Sequence, residues 1–145
     1  MIAFIQRVKK AQVEVAGTLI SQINYGILAL IGINKNDNQT NADKLIEKIL
    51  TYRIFPDNED KMNLSLIDIQ GEIILVPQFT FAANTNKGRR PSFDSAMPPK
   101  QAEEFFNEFA RKFKEKHNKT FLGEFGAYMQ VSLVNDGPVS FWLEQ

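Results

Sequence analysis

The sequence predicts an α/β fold in which a mixed sheet is covered on one side by two helices. Three observations predict it. Short runs of alternating apolar and polar residues recur along the chain, the period of a strand with one buried face. One run, residues 27–33, is apolar almost throughout, as suits a strand buried on both faces. Two longer stretches repeat apolar residues at helical spacing instead. Strands interleaved with two helices build this layered architecture. The 145 residues suffice for one domain, 1–145, with a real core.

The elements follow in order. Residues 1–8 predict a strand with Ile2, Phe4, Gln6 and Val8 on one face and Ala3, Ile5 and Arg7 on the other. Residues 12–16 alternate again, Gly17 marks a turn, and Thr18–Ile23 continues as a strand. The apolar run at 27–33 is the next strand. Thr40 reads as the N-cap of a helix over 41–53, with Asp43 in its first turn. Its buried stripe is Ala42, Leu45, Ile46, Ile49 and Leu50, and Pro56, Asp57 and Asn58 end it. Residues 62–69 read as a strand, Gly71 as a turn, and 72–81 as a strong strand that meets Pro77. Residues 82–99 are rich in Pro, Gly and basic side chains and read as a functional loop. The second helix is expected over 101–116, buried through Ala102, Phe105, Phe106, Phe109 and Phe113. Its last turns carry Arg111, Lys112, Lys114 and Lys116, which suit the helix dipole. Two final strands, 128–134 and 139–143, flank Asn135-Asp136-Gly137-Pro138.

Composition excludes several chemistries. Cysteine is absent, which removes disulfides and thiolate catalysis. One histidine, His117, leaves too few ligands for a structural zinc site. A Ser-His-Asp triad would have to use His117, which instead reads as a helix C-terminal cap. No metal or other cofactor is expected. Seventeen basic and 17 acidic residues balance to zero net charge, unlike a protein that grips long stretches of nucleic acid backbone. No DNA partner is expected, and any nucleic acid contact is small and local. The longest apolar run is too short to span a bilayer, so no membrane partner is expected. The leading apolar residues precede the basic ones, the reverse of a secretory signal, which points to the cytoplasm.

Candidate chemistry concentrates in residues 75–93. There a strand ends in Gln78-Phe79-Thr80 and runs into a loop with Gly88, Arg89 and Arg90. This is either an ordinary strand terminus or a site. Thr80 has a nucleophilic hydroxyl but no evident base beside it, whereas backbone N–H groups at the strand end suit an oxyanion. Lys87, Arg89 and Arg90 are either a solvated charge run or a phosphate contact. Arg7 either snorkels to water or sits buried on carbonyl acceptors. Gly137-Pro138 is either a tight turn or a fixed presentation of main-chain carbonyls, to which a cis bond is well suited.

Taken together, the motifs resemble those of the D-aminoacyl-tRNA deacylase family, which removes D-amino acids from tRNA. The family's Ser-Gln-x-Thr-x motif appears as Pro77-Gln78-Phe79-Thr80-Phe81, and its Asn-x-Gly-Pro-x-Thr motif as Asn135-Asp136-Gly137-Pro138-Val139-Ser140. IQRV near the start, YRIFPDNEDKMN at 52–63, RPSF at 90–93 and MQVSLVNDGPVSFWL near the end extend the resemblance over nearly the whole chain. Pro77 departs from the family serine, losing a hydroxyl and an N–H; Ser140 departs from threonine but keeps the hydroxyl.

The resemblance implies a mostly antiparallel, barrel-like sheet and a homodimer with active sites at the subunit interface. It implies a cis Gly137-Pro138 bond whose carbonyls hold the amino group of the aminoacyl-tRNA 3′ end, in the partner's pocket, and leave no room for an L side chain. Arg7 would brace this gate. The N–H groups of Phe79 and Thr80 would hold the oxyanion, and Gln78 would position the substrate. Phe125 and Ala102 would line the adenosine or amino-acid side. Thr80 is one family view of the nucleophile; the other is water activated with help from the terminal 2′-hydroxyl. A gate made of main chain reads chirality and cannot fully reject glycine, so glycyl-tRNA mischarged on tRNA(Ala) is an expected secondary substrate.

Overall fold

The computed structural model describes residues 1–84 and 89–145. Its organising element is β1 (Ile2–Val15), which runs without a break through the two stretches expected as separate strands. The alternation lapses at Lys9 and Lys10 because the strand bulges there. Between the pairs Val8↔Asn135 and Lys10↔Val134, β1 advances two residues while its partner advances one. An extra residue in one strand rotates those that follow to the opposite face. Ala3 and Ile5 accordingly pack on one side of the sheet, and Ala11 and Val13 on the other.

On one edge, β1 pairs antiparallel with β2 (Thr18–Ile23) and β3 (Gly26–Gly32). Its other edge pairs antiparallel with β8 (Met129–Glu144). β3 then pairs parallel with β6 (Glu72–Pro77), and β6 with β7 (Thr120–Leu122). β2 folds over towards β6 and β7, so the mixed, mostly antiparallel sheet nearly closes. A small antiparallel pair, β4 (Phe55–Pro56) and β5 (Met62–Leu64), lies apart from it.

The period of two sorts the core into two clusters. Ile27, Ala29, Ile31, Ile73 and Leu75 face the helices; Leu28, Ile74 and Val76 face the inner cluster with Val8, Val13 and Ile23. Both helices therefore cover one side. Helix α1 (Gln39–Thr51) buries the expected stripe, Ala42, Leu45, Ile46, Ile49 and Leu50. Helix α2 (Pro99–Lys116) buries Ala102, Phe106, Phe109, Ala110 and Phe113, while Phe105 is only partly covered. His117 caps α2: its N–H donates to Phe113 O at 2.9 Å, and its ring Nε2 lies 2.8 Å from Gly71 O.

Several further boundaries differ from expectation. The N-cap of α1 is Asn38, two residues before Thr40. Its side chain accepts from the N–H of Thr40 at 2.9 Å and of Asn41 at 3.2 Å, and Asn41 reciprocates to the Asn38 N–H at 3.0 Å. This reciprocal box satisfies donors that a helix start leaves open. Replacing Asn38 with alanine should destabilise the protein by about 1 kcal/mol, read as a lower urea midpoint; an unchanged midpoint would show that the cap contributes nothing. The strand at 62–69 stops at Leu64, because Asp68 accepts from both the N–H and the hydroxyl of Ser65 and turns the chain. The strand at 72–81 stops at Pro77, because the chain winds into a 3₁₀ turn from Phe79. The two final strands are one, β8, with a loop inside it.

Candidate active site

The end of β6 builds the first half of the site. Pro77 pairs with Ile31, and the Gln78 N–H donates to Ile31 O at 2.7 Å, so the chain stays tied to β3 one residue further. It then winds into a single 3₁₀ turn, Phe79–Ala82. Gly32 permits the close approach: a Cβ there would lie 2.7 Å from Phe81 Cβ. The first N–H groups of such a turn have no partner within it. Among the described residues, no backbone carbonyl accepts from the Phe79 or Thr80 N–H. The Gln78 side-chain amide donates to Thr80 Oγ1 at 2.6 Å. No described imidazole or carboxylate hydrogen-bonds that hydroxyl. An accepting hydroxyl with no base beside it is a poorly activated nucleophile.

Beside this turn lies an apolar cavity of about 420 Å³. Phe79, Phe93, Met97, Pro98, Ala102 and Phe125 are among its walls. Its volume and apolar lining suit a small-molecule-sized group. Phe79 is 62% exposed and its ring lies 5.2 Å from that of Phe93, so together they present an aromatic surface at the mouth. A smaller cavity of about 20 Å³ shares Pro77, Phe79, Ala102 and Phe125 with it and reaches Gln78. The structure thus brings Gln78, Phe79, Thr80, Ala102 and Phe125 together. Arg89 and Arg90 are exposed, and Lys87 lies outside the described residues.

The Gly137-Pro138 segment, the second half of the candidate site, is elsewhere. Between the pairs Gln6↔Ser140 and Val8↔Asn135, β1 advances two residues while β8 advances five, so three extra residues loop out opposite Arg7. The loop carries the Gly137-Pro138 bond, which is cis. Its base is stitched by Asn135: the side-chain oxygen accepts from the Val139 N–H at 3.0 Å, and the amide lies 3.3 Å from Ser140 Oγ. A serine in place of the family threonine still supplies that hydroxyl. None of residues 135–140 lines the cavity beside Thr80.

Arg7 is buried, and it is the carbonyl-satisfying guanidinium of the two alternatives. Its Nη1 donates to Ile54 O at 2.7 Å and its Nε to Asp136 O at 3.0 Å. Asp136 Oδ2 lies 3.1 Å from the same Nε, and Lys9 Nζ lies 3.8 Å from Asp136 Oδ1. Tyr25 stands against this group and stacks edge-on to Phe55 at 5.4 Å. Burial raises the Tyr25 phenol's pKa; the nearby Arg7 charge opposes the rise and Asp136 adds to it. Sequence reasoning passed over Asp136, Tyr25 and the Ile54 carbonyl. The signal available for Asp136 was its place inside the Asn-x-Gly-Pro motif; a main-chain carbonyl such as that of Ile54 leaves none. Phe93 lies in the RPSF segment that carries the resemblance but is not among the expected site residues.

The chain matches the model of the D-Tyr-tRNA(Tyr) deacylase family over residues 4–144. Among curated proteins it is 56% identical to a D-aminoacyl-tRNA deacylase of Francisella tularensis subsp. tularensis (strain WY96-3418), over 97% of each chain. It is 54% identical to one of Haemophilus influenzae (strain PittGG), over 99% of each. Among solved structures it is similar to the c-Myc DNA Unwinding Element Binding Protein, with a TM-score of 0.96 and 42% identity over 100% of this chain and 99% of that one. It shares the fold of a probable eukaryotic D-amino acid tRNA deacylase, with a TM-score of 0.90 at 12% identity, over 99% of this chain and 98% of that one.

Proposed function

The chain belongs to the D-Tyr-tRNA(Tyr) deacylase family, and from that premise we propose that it proofreads chirality, hydrolysing the ester of D-aminoacyl-tRNA and sparing the L ester. The observation that carries the chemistry is the pair of uncommitted N–H groups, Phe79 and Thr80, at the edge of an apolar cavity. An aminoacyl ester is already activated, so positioning plus an oxyanion hole supplies much of the needed barrier reduction. Water adds to the ester carbonyl, and the Phe79 and Thr80 N–H groups stabilise the oxyanion. The carbonyl then re-forms as the C–O bond to the ribose breaks. The tRNA hydroxyl leaves with a proton, and a free D-amino acid is released. The terminal 2′-hydroxyl assists the water, since Thr80 has no base. Gln78 orients the substrate, and Ala102 and Phe125 wall the adenosine or amino-acid side.

The Gly137-Pro138 carbonyls take the amino group and exclude an L side chain. Because this loop does not line its own chain's cavity, it serves the pocket of a second copy in a homodimer of one-domain chains spanning 1–145. Glycine has no side chain to exclude, so glycyl-tRNA mischarged on tRNA(Ala) is also hydrolysed. The aminoacyl-tRNA 3′ end is held locally, in keeping with zero net charge, and the enzyme works in the cytoplasm. Among the described residues no helix is long and apolar enough to cross a membrane. A second reading follows from the DNA-binding name of the 42%-identical protein: nucleic acid binding with steep salt dependence and no turnover.

The test is hydrolysis of matched D-tyrosyl-tRNA and L-tyrosyl-tRNA by purified protein without added metal. Fast loss of the D ester alone is the expected result. Loss of both would remove the gate but keep the esterase, and loss of neither would favour the binding reading. Thr80→Ala should keep D-ester turnover within a few-fold of wild type. Removing a true nucleophile lowers kcat by many orders of magnitude, so such a collapse would reinstate Thr80.

A further inference from the structure

We infer that the Asp136 side chain is a positioning residue for stereoselection: it holds the Arg7 guanidinium in the one orientation that fixes the Gly137-Pro138 loop on β1. This rests on reading Gly137-Pro138 as the chiral gate.

Apart from Arg7, the side-chain hydrogen bonds to this loop lie at its base. Asn135 closes its base through Val139 and Ser140. Nothing in that stitch fixes the angle at which the apex stands from the sheet. The apex is referred to β1 through Arg7. Its Nε donates to Asp136 O at 3.0 Å, and its Nη2 lies 3.4 Å from where a Cβ on Gly137 would sit. Arg7 needs two fixed points to act as a rigid strut. Ile54 O, held between α1 and β4, is one, at 2.7 Å from Nη1. Asp136 is the other: its carbonyl accepts the Nε–H and its carboxylate lies 3.1 Å from the same nitrogen. The carbonyl of the residue thus takes the hydrogen bond of Nε, and the carboxylate of the same residue pairs with its charge. Charge-assisted contacts of this kind are the strong ones, and the planar guanidinium makes them directional.

The carboxylate also has Lys9 Nζ at 3.8 Å and the Tyr25 phenol beside it. Without its charge, Arg7 keeps the Ile54 and Asp136 carbonyls but loses the ion pair that holds its Nε edge against the loop. The gate then shifts relative to the bound ester. Small misplacements at a reacting centre have large rate effects. A purely structural role for Asp136 would lower stability without changing which enantiomer is cleaved, so the two roles are separable.

The experiment measures the D-to-L preference, the ratio of kcat/KM on D-tyrosyl-tRNA and L-tyrosyl-tRNA. The proteins are wild type, Asp136→Asn, Asp136→Glu, Arg7→Met and the Asp136→Asn, Arg7→Met double variant. Asp136→Asn keeps the shape and loses the charge. Asp136→Glu keeps the Arg7 charge paired, which protects folding, but moves the carboxylate by one methylene. Both should lose preference by about tenfold or more. The double variant should recover stability, because no buried charge is left alone, yet show no more preference than Arg7→Met. A folded Asp136→Asn or Asp136→Glu with the wild-type ratio would overturn the inference, as would a double variant whose loss is the product of the two single losses. A wild type without D preference would instead overturn the gate reading, and this inference with it.

Discussion

Replacing Gly137 with alanine is expected to reduce D-ester hydrolysis by about a hundredfold or more and to abolish the preference for D over L, while the protein stays folded. Gly137 has φ +138°, a region that L side chains rarely adopt. An added Cβ would lie 2.6 Å from Val139 Cγ2 and 2.8 Å from the Val139 N. The second contact is backbone, and that N–H is the donor to Asn135 that closes the loop. Relief therefore means moving the loop itself. The penalty is on the order of 1–3 kcal/mol, far from enough to unfold a typical domain, so it appears as a displaced loop. Matched D- and L-tyrosyl-tRNA assays, with circular dichroism as the fold control, check this. A variant with wild-type preference would mean that the loop's shape does not select the enantiomer.

The second large effect is expected at Ala102. This residue sits in the first turn of α2, is 7% exposed, and lines both cavities, the smaller of which reaches Gln78. Leucine there would put three more carbon atoms into the space available to the substrate. The roughly 420 Å³ cavity can receive them, so the stability change should stay within the about 1–3 kcal/mol typical of overpacking. Substrate binding should suffer far more: KM for the D ester should rise at least tenfold, with a smaller change in kcat, since Phe79 and Thr80 are not moved. An unchanged KM would separate the cavity from the substrate.

Periodicity revealed the parts of the fold that depend on one stretch of chain. Every residue of the α1 stripe is buried as its spacing implies, and the apolar run at 27–33 does lie between two packed faces. What escaped detection was set by a partner strand. The bulge at Lys9 reverses the facing of β1, and only β8 shows that Lys9 is the extra residue. The break between two apparent C-terminal strands is a three-residue loop in one strand, kept in register by side chains at its base. The site divides in the same way. Gln78, Phe79 and Thr80 are adjacent in sequence and were found as a motif. Arg7 was noticed because an arginine interrupts an apolar alternation. Its acceptor, the Ile54 carbonyl, is 47 residues away. Any residue type presents a carbonyl, so no letter in the sequence distinguishes it.

The pairing of β1 with β8 also governs the order in which the molecule can be made. A ribosome completes residues 2–15 long before 129–144, yet each strand is the other's neighbour. Contacts so distant in sequence form late and slowly, and until then one edge of β1 has no partner. A chain cut short before residue 129 lacks that partner and the Gly137-Pro138 loop together. An incomplete product is therefore expected to expose a whole edge of β1 and to be open to proteolysis.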